Sequence, residues 1–226
     1  EKYGSIFSEF MIQKIKDRIN KNEQIILLHN RRGFAPILQC IECGEIALCP
    51  HCKLSMTYHK IDNSLKCHFC NYSLKVFDRC NVCQSYNVQL SGTGTQKVEN
   101  ELENLFPNIC IDRLDLDSTP TASKIFKTLE KFSNNEINIL IGTQMIAKGL
   151  DFANTTLVGI INSDTGLFLP DFRSGERVFQ LIYQAAGRAG RGNIPGEVVV
   201  QTYNSNNQVI KLASKLDLVN YYDECL

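Results

Sequence analysis

The sequence predicts an α/β fold: a parallel β-sheet flanked by helices, with a small β-rich module inserted near its start. Two observations carry this reading. From residue 87 onward, short apolar runs alternate with stretches of helical period, and strands separated by helices close as a parallel sheet with right-handed crossovers. Before that point, eight of the ten cysteines crowd into four CxxC pairs, Cys40/Cys43, Cys49/Cys52, Cys67/Cys70 and Cys80/Cys83. Their segment has too few large apolar residues for a core of its own. A chain of 226 residues accommodates one sizeable domain plus such a module. The expected division assigns residues 1–37 and 85–226 to the α/β lobe and 38–84 to the module.

The elements follow in order. Residues 5–20 place Ile6, Phe7, Phe10, Met11, Ile15 and Ile19 on one helical face, with Ser5 as the N-cap. An apolar strand at 24–29 precedes the cysteines. After them come a strand at 87–91, a helix at 95–105, a strand at 109–114, a helix at 121–133 and strands at 137–142 and 156–162. A helix at 174–190, a strand at 197–203 and helical turns over 206–225 complete the chain. Basic and acidic side chains number 24 each, so no overall positive field marks a nucleic-acid partner, and any such binding is local. The chain begins with Glu1 and stops abruptly at Leu226, as expected of a piece of a longer protein.

Each CxxC closes a knuckle whose sulfurs face one tetrahedral ion, so four pairs make two closed, structural four-thiolate zinc sites. An even cysteine count also permits disulfides. No signal peptide and no apolar run of membrane length is present, so a reducing cytoplasmic setting, no membrane contact and zinc are expected. His51 and His68 lie inside two of the knuckles as alternative ligands, but with eight thiolates available they read as spacers. Cys110 and Cys225 read as unpaired small apolar residues. Sequential, crossed and nested pairings all satisfy the metal. Nesting is favoured, because the inner pairs flank a hairpin-like stretch, 55–65, with a turn at Asp62-Asn63-Ser64. Cys49, Cys52, Cys67 and Cys70 then hold one ion, while Cys40, Cys43, Cys80 and Cys83 hold the other and bring the module's entry and exit together.

In a parallel sheet, ligands bind outside the carboxyl ends of the strands. Four polar, glycine-containing segments are expected there: His29 to Gly33 with Arg31 and Arg32, Gly92 to Thr95, Gly142 to Gln144, and Ser163 to Gly166. Arg31 and Arg32 are candidate phosphate clamps or a solvated strand end. Thr93 with Gln96 reads as a capping box, and the free N–H groups of Gly92, Thr93 and Thr95 suit a backbone phosphate. Thr143 offers a hydroxyl, and Lys148, Gly149 and Asp151 follow in a compact bend suited to touching two ligands.

Outside the cysteines, the run from Gln184 to Arg191, QAAGRAGR, is the most informative. On a helix it places Gln184, Arg188 and Arg191 on one face, and two guanidinium forks suit a triphosphate. The run matches the QxxGRxGR motif VI of superfamily 2 helicases, and Ile141 to Phe152, IGTQMIAKGLDF, resembles their motif V. With NRRGFAP at Asn30 to Pro36, GTGT at Gly92 to Thr95, PDFRSGER at Pro170 to Arg177 and the eight cysteines, the chain closely resembles the bacterial primosomal replication-restart helicases, the primosomal protein N-prime family. One departure is Gln96, where a glutamate is expected after GTGT.

The resemblance implies the second RecA-like lobe of a 3′-to-5′ DNA motor, closing on a first lobe around ATP and Mg2+ at abandoned replication forks. It implies that Arg188 and Arg191, assisted by Gln184, reach the nucleotide phosphates as arginine fingers, with Gly149 and Asp151 beside the nucleotide. It gives Arg31, Arg32, Gly92, Thr93, Thr95, Thr143 and Gln144 to DNA, and it implies nested zinc pairing. Forked DNA with single-strand/double-strand junctions, primosome proteins and single-stranded-DNA-binding protein are the implied partners of a monomeric, nucleoid-associated protein. No GxxxxGK[ST] loop and no DExH box occurs in these 226 residues, so this piece alone is expected to be inactive. The competing reading is a zinc-stabilised DNA- or protein-binding adaptor without ATP turnover.

Overall fold

The computed structural model describes residues 6–29, 37–59, 61–91, 95–114, 121–143, 146, 152–167, 171–190 and 195–225. A five-stranded parallel sheet in the order β10-β9-β1-β8-β7 forms the lobe. Its strands are β1 (Gln24–His29), β7 (Ile111–Leu114), β8 (Ile139–Gly142), β9 (Thr155–Ile161) and β10 (Glu197–Val200). β1 is central, pairing with β8 on one side and β9 on the other, and all six of its residues are buried. That double-sided burial is why β1 reads QIILLH, an apolar run rather than an alternation.

Successive β1 residues feed opposite faces of the sheet. Ile25 and Leu27 pack under α1 (Glu9–Asn20) and α2 (Thr95–Leu105), with Met11, Ile15, Val98 and Leu102. Ile26 and Leu28 join Phe132 of α3 (Ala122–Ser133), and Val178 and Ile182 of the helix Ser174–Ala186. A single turn, α4 (Asp164–Leu167), precedes that helix, which is α5; α6 (Gln208–Ser214) and α7 (Leu218–Cys225) end the chain. Among the described residues no helix is long and apolar enough to cross a membrane.

The module is a second, antiparallel sheet, β5-β4-β3-β2-β6. It comprises β2 (Ile37–Cys40), β3 (Thr57–His59), β4 (Ser64–Lys66), β5 (Ser73–Lys75) and β6 (Val88–Ser91). The strand expected at 87–91 therefore belongs here and not to the lobe's sheet. It pairs with β2 from Ile37↔Ser91 to Cys40↔Val88, so the chain enters and leaves the module side by side and the sheet takes in residues 37–91. The expected hairpin is present as β3–β4, with Asn63 at φ 43° in its turn. The module core gathers Leu38, Ala47, Met56 and Leu65 around Cys49 and Cys67, with Ile37 and Ile46 buried beside the same sheet.

Other expectations change at element ends. Ser8, rather than Ser5, caps α1, its Oγ accepting from the Met11 N–H at 3.2 Å. Phe10 is more than half exposed, with the Lys14 ammonium 5.2 Å from its ring centre. Cys110 is exposed just before edge strand β7. The final helical stretch is broken into α6 and α7 at Leu216, whose φ is 56°. α5 stops at Ala186, four residues short of the expected end, because the chain turns at Gly187 and again at Gly190.

Gln24 shows how a polar group enters this interior. Its side-chain amide donates to the carbonyls of Phe132 and Ile137, at 2.6 and 2.8 Å, tying the α3–β8 connection to β1. Gln24→Leu leaves both buried acceptors without this donor. It is expected to lower stability by about 1–3 kcal/mol, read as a lower urea midpoint at unchanged slope.

Candidate metal centres and the edges of the parallel sheet

The eight sulfurs gather into two sets, Cys40/Cys43/Cys80/Cys83 and Cys49/Cys52/Cys67/Cys70, with all ligand atoms of each set within 4.8 Å of one another. The arrangement is nested. Sulfur separations of 3.5 Å (Cys40–Cys83), 3.7 Å (Cys43–Cys80) and 3.6 Å (Cys49–Cys70) exceed the about 2.05 Å of a disulfide. They approach the about 3.8 Å edge of a tetrahedron with about 2.3 Å metal–sulfur bonds. The β2–β6 pairing assembles the outer set, and the β3–β4 hairpin the inner one.

All four knuckles share one backbone device. The first cysteine's N–H donates to the carbonyl five residues on: Cys40 to Glu45 at 2.7 Å, and Cys49 to Leu54, Cys67 to Tyr72 and Cys80 to Ser85, each at 2.8 Å. The residue four on returns an N–H to that cysteine's carbonyl, and in each case it has a positive φ: Gly44 (76°), Lys53 (59°), Asn71 (60°) and Gln84 (62°). Only one of the four is a glycine, so the repeat is hidden from a search for glycines.

Backbone dipoles, burial and neighbouring sulfurs drive the thiol acidities apart. Backbone N–H groups of Cys70 and Phe69 pull the Cys67 thiol down to about 7. Cys80 also falls to about 7, where burial opposes but the N–H groups of Cys83 and Val82 prevail. Burial pushes Cys43 up to about 12, and the neighbouring Cys70 sulfur, ahead of burial, pushes Cys52 up to about 12. Four thiolates this close ionise together only around a dication. Neither knuckle histidine faces a cluster as a replacement ligand: His51 packs edge-on against Tyr72, and His68 meets His59.

The outer knuckle rests on the lobe. A Cβ at Gly44 would lie 2.4 Å from the Cβ of Tyr203, just past β10. Tyr203 is itself fixed, its N–H donating at 2.9 Å to Asp164, whose other oxygen accepts from the Thr202 hydroxyl at 2.7 Å. Asp164 is fully buried, and the Ser163 N–H and hydroxyl both donate to Gln201. Ser163 and Asp164, expected in a phosphate-gripping loop, are thus parts of a buried brace; Tyr203, which Asp164 positions, is a residue that sequence reasoning missed.

The remaining candidates divide between two edges of the sheet. Thr143 follows the last residue of β8 and is half-buried, its carbonyl accepting from Ile146 at 3.1 Å. Thr95 opens α2, and its hydroxyl accepts from Arg113 of β7 at 3.3 Å, so both mark the carboxyl edge. Gln96 donates along α2 to Glu99 and Asn100. Gln184 lies in the last turn of α5, half-buried beside Leu218 and Tyr222 of α7. Arg188 follows the helix, its N–H donating to Ala185 at 2.9 Å. Two residues on, the Gly190 N–H donates to Thr155, the first residue of β9, at 3.0 Å; a Cβ at Gly190 would meet Gly196 N at 1.9 Å. A crossover helix must return to the start of the next strand, so Gln184 and Arg188 sit toward the amino edge, away from Thr143, with Arg188 beyond the last helical residue Ala186. Arg31, Arg32, Gly92, Thr93, Gln144, Lys148, Gly149, Asp151 and Arg191 lie outside the described residues.

The lobe is thus a parallel sheet covered by helices on both faces, with a glycine- and arginine-bearing turn after α5, the crossover helix between β9 and β10. Residues 77–193, just over half of the chain, match the helicase conserved C-terminal domain, and the chain belongs to that family. Residues 49–75 match the cysteine-rich region domain of PriA DNA helicase. The chain is 44% identical over 218 residues to the replication restart protein PriA of Bacillus subtilis and 41% identical over 224 residues to that of Borreliella burgdorferi. It covers 27% and 34% of those proteins, while they match 96% and 99% of it. Among solved structures, the helicase domain of Pyrococcus furiosus Hef overlays 92% of the chain and 28% of its own, at TM-score 0.42 and 14% identity. The family match and the sheet order, rather than that overlay, carry the fold assignment.

Two outcomes test the metal sites and their docking. Cys80→Ser should remove one of two bound ions and loosen the module before the lobe, read by metal content and hydrogen exchange; two tightly held ions would exclude Cys80 as a ligand. Gly44→Ala combines a positive φ with the Tyr203 clash. It should cost about 1–3 kcal/mol and raise exchange at residues 201–204, whereas native exchange there would remove any role for the contact.

Proposed function

We propose that this chain is the C-terminal motor lobe of an ATP-dependent 3′-to-5′ DNA helicase that restarts stalled replication forks and initiates primosome assembly. The observation that carries the reading is the pair of nested four-cysteine clusters between β1 and β7 of the parallel-sheet lobe, in a chain whose residues 77–193 match the helicase conserved C-terminal domain. The proteins at 44% and 41% identity bear the name replication restart protein, which supports the biological setting. Family membership favours the motor over an adaptor without turnover.

In this proposal each cluster holds one structural Zn2+, replacing the core that the module lacks. ATP and Mg2+ bind between this lobe and a first lobe that supplies the P-loop and DExH box. Arg188 and Arg191 reach the phosphates, Gln184 supports them, and Gly149 and Asp151 approach the nucleotide. Arg31, Arg32, Gly92, Thr93, Thr95, Thr143 and Gln144 follow the DNA backbone. The separation of Thr143 from Arg188 then means that DNA and nucleotide engage different edges of the sheet. The proposed partners are forked DNA, primosome proteins and single-stranded-DNA-binding protein, met by a monomer in the bacterial cytoplasm. Residues 1–226 alone neither hydrolyse ATP nor unwind DNA, for want of a phosphate-cradling loop.

In the full-length protein, Arg188→Ala should reduce DNA-stimulated ATP hydrolysis by about 10³-fold or more with metal content and circular dichroism unchanged. Arg188→Lys should fail to restore it, since an ammonium lacks the planar fork. Undiminished turnover in either variant would overturn the assignment.

A further inference from the structure

Two of the chain's four histidines face each other outside the thiolate clusters. His59 lies at the end of β3, and His68 sits inside the knuckle Cys67-His68-Phe69-Cys70. Their Nε2 atoms are 3.3 Å apart, with ring centres at 5.2 Å and planes inclined by 44°. Only one proton fits between two such nitrogens, and the separation is longer than the about 2.9–3.0 Å of a well-formed N–H hydrogen bond. It does equal the edge of a tetrahedron around a cation with about 2.0–2.1 Å metal–nitrogen bonds, which is about 3.3–3.4 Å.

We propose that His59 and His68 form a third metal site, a two-imidazole clasp for a divalent transition cation, separate from the two four-cysteine clusters. Both rings are carried by elements fixed for other reasons. His59 is held by the β3–β4 pairing, in register with Ser64. His68 is held by the knuckle bonds Cys67 N–H to Tyr72 and Asn71 N–H to Cys67, at 2.8 and 2.9 Å. Little reorganisation is then left to oppose binding. His68 is exposed and His59 half-buried, so an ion reaches them from solvent. The Asp62 carboxylate in the intervening turn is engaged by Lys66, so two positions of a tetrahedral ion remain for water or an oxygen donor. With two neutral nitrogen ligands the clasp takes imidazole-seeking ions such as Ni2+, Cu2+ or Zn2+ more weakly than the thiolates take zinc.

Ni2+ titrated calorimetrically into the zinc-loaded full-length protein tests this, because thiolate sites retain zinc while imidazoles accept nickel. One Ni2+ per chain is expected beyond the two zinc ions. His59→Gln and His68→Gln should each weaken it by about tenfold or more, His51→Gln should leave it unchanged, and all three should keep two zinc ions. Absence of nickel binding to the native protein, or native affinity in His59→Gln, would overturn the site. Should a variant lose zinc, paramagnetic broadening by Ni2+ in the native protein decides: His59 and His68 ring signals must broaden first, and earlier loss of the His51 signal would refute the clasp.

Discussion

Four sulfurs confined within 4.8 Å cannot all carry charge unless a dication lies among them. That constraint governs the module, whose buried apolar residues among those described, besides cysteines, are Ile37, Leu38, Ile46, Ala47, Met56 and Leu65. Burial of so few side chains falls short of the conformational entropy of ordering residues 37–91. The outer cluster also serves the lobe. By closing the far end of the β2–β6 pair it returns the chain beside its point of departure, so that β1 can stand at the centre of a sheet whose other strands all follow the insertion. Metal, module and sheet are thereby one cooperative problem.

The outer knuckle's seat on the lobe gives this dependence a physical route. Gly44 leaves no room between the knuckle and Tyr203, and Tyr203 hangs from the buried carboxylate of Asp164 at the end of β9. A shift of the knuckle is therefore a shift of the loop after β10. Asp164 is not a solvated acid awaiting a ligand; its oxygens are satisfied by Thr202 and Tyr203. The same loop that looks polar and accessible in a linear reading is a strut between the metal module and the parallel sheet.

Around that frame the described candidate residues separate by edge. Thr95 and Thr143 stand at the carboxyl ends of strands, whereas Gly190 reaches back to the first residue of β9, carrying Arg188 with it. The cause is geometric. A crossover helix runs opposite to the strands it joins, so residues at its start and end serve opposite edges. The run Gln184 to Arg191 reads as a continuous helical face, yet Gly187 and Gly190 end the helix and redirect the chain. Each glycine admits both a close helical approach and a turn, and the choice is made by the strand it must meet.

The sequence by itself determined the α/β alternation, the strands β1, β8 and β9, and the presence of eight metal-competent thiols. These are written in local periodicity and ligand spacing, and β1 is apolar throughout because it is buried on both faces. Nested knuckles were favoured by the hairpin signal and are what the structure gathers, but tertiary structure alone decided that Val88–Ser91 joins the antiparallel sheet, that Lys53 and Gln84 take the left-handed backbone of Gly44, and that His68 turns to His59. Each of those outcomes depends on a partner distant in the chain, and a strand's four residues carry no mark of which neighbour will supply their hydrogen bonds.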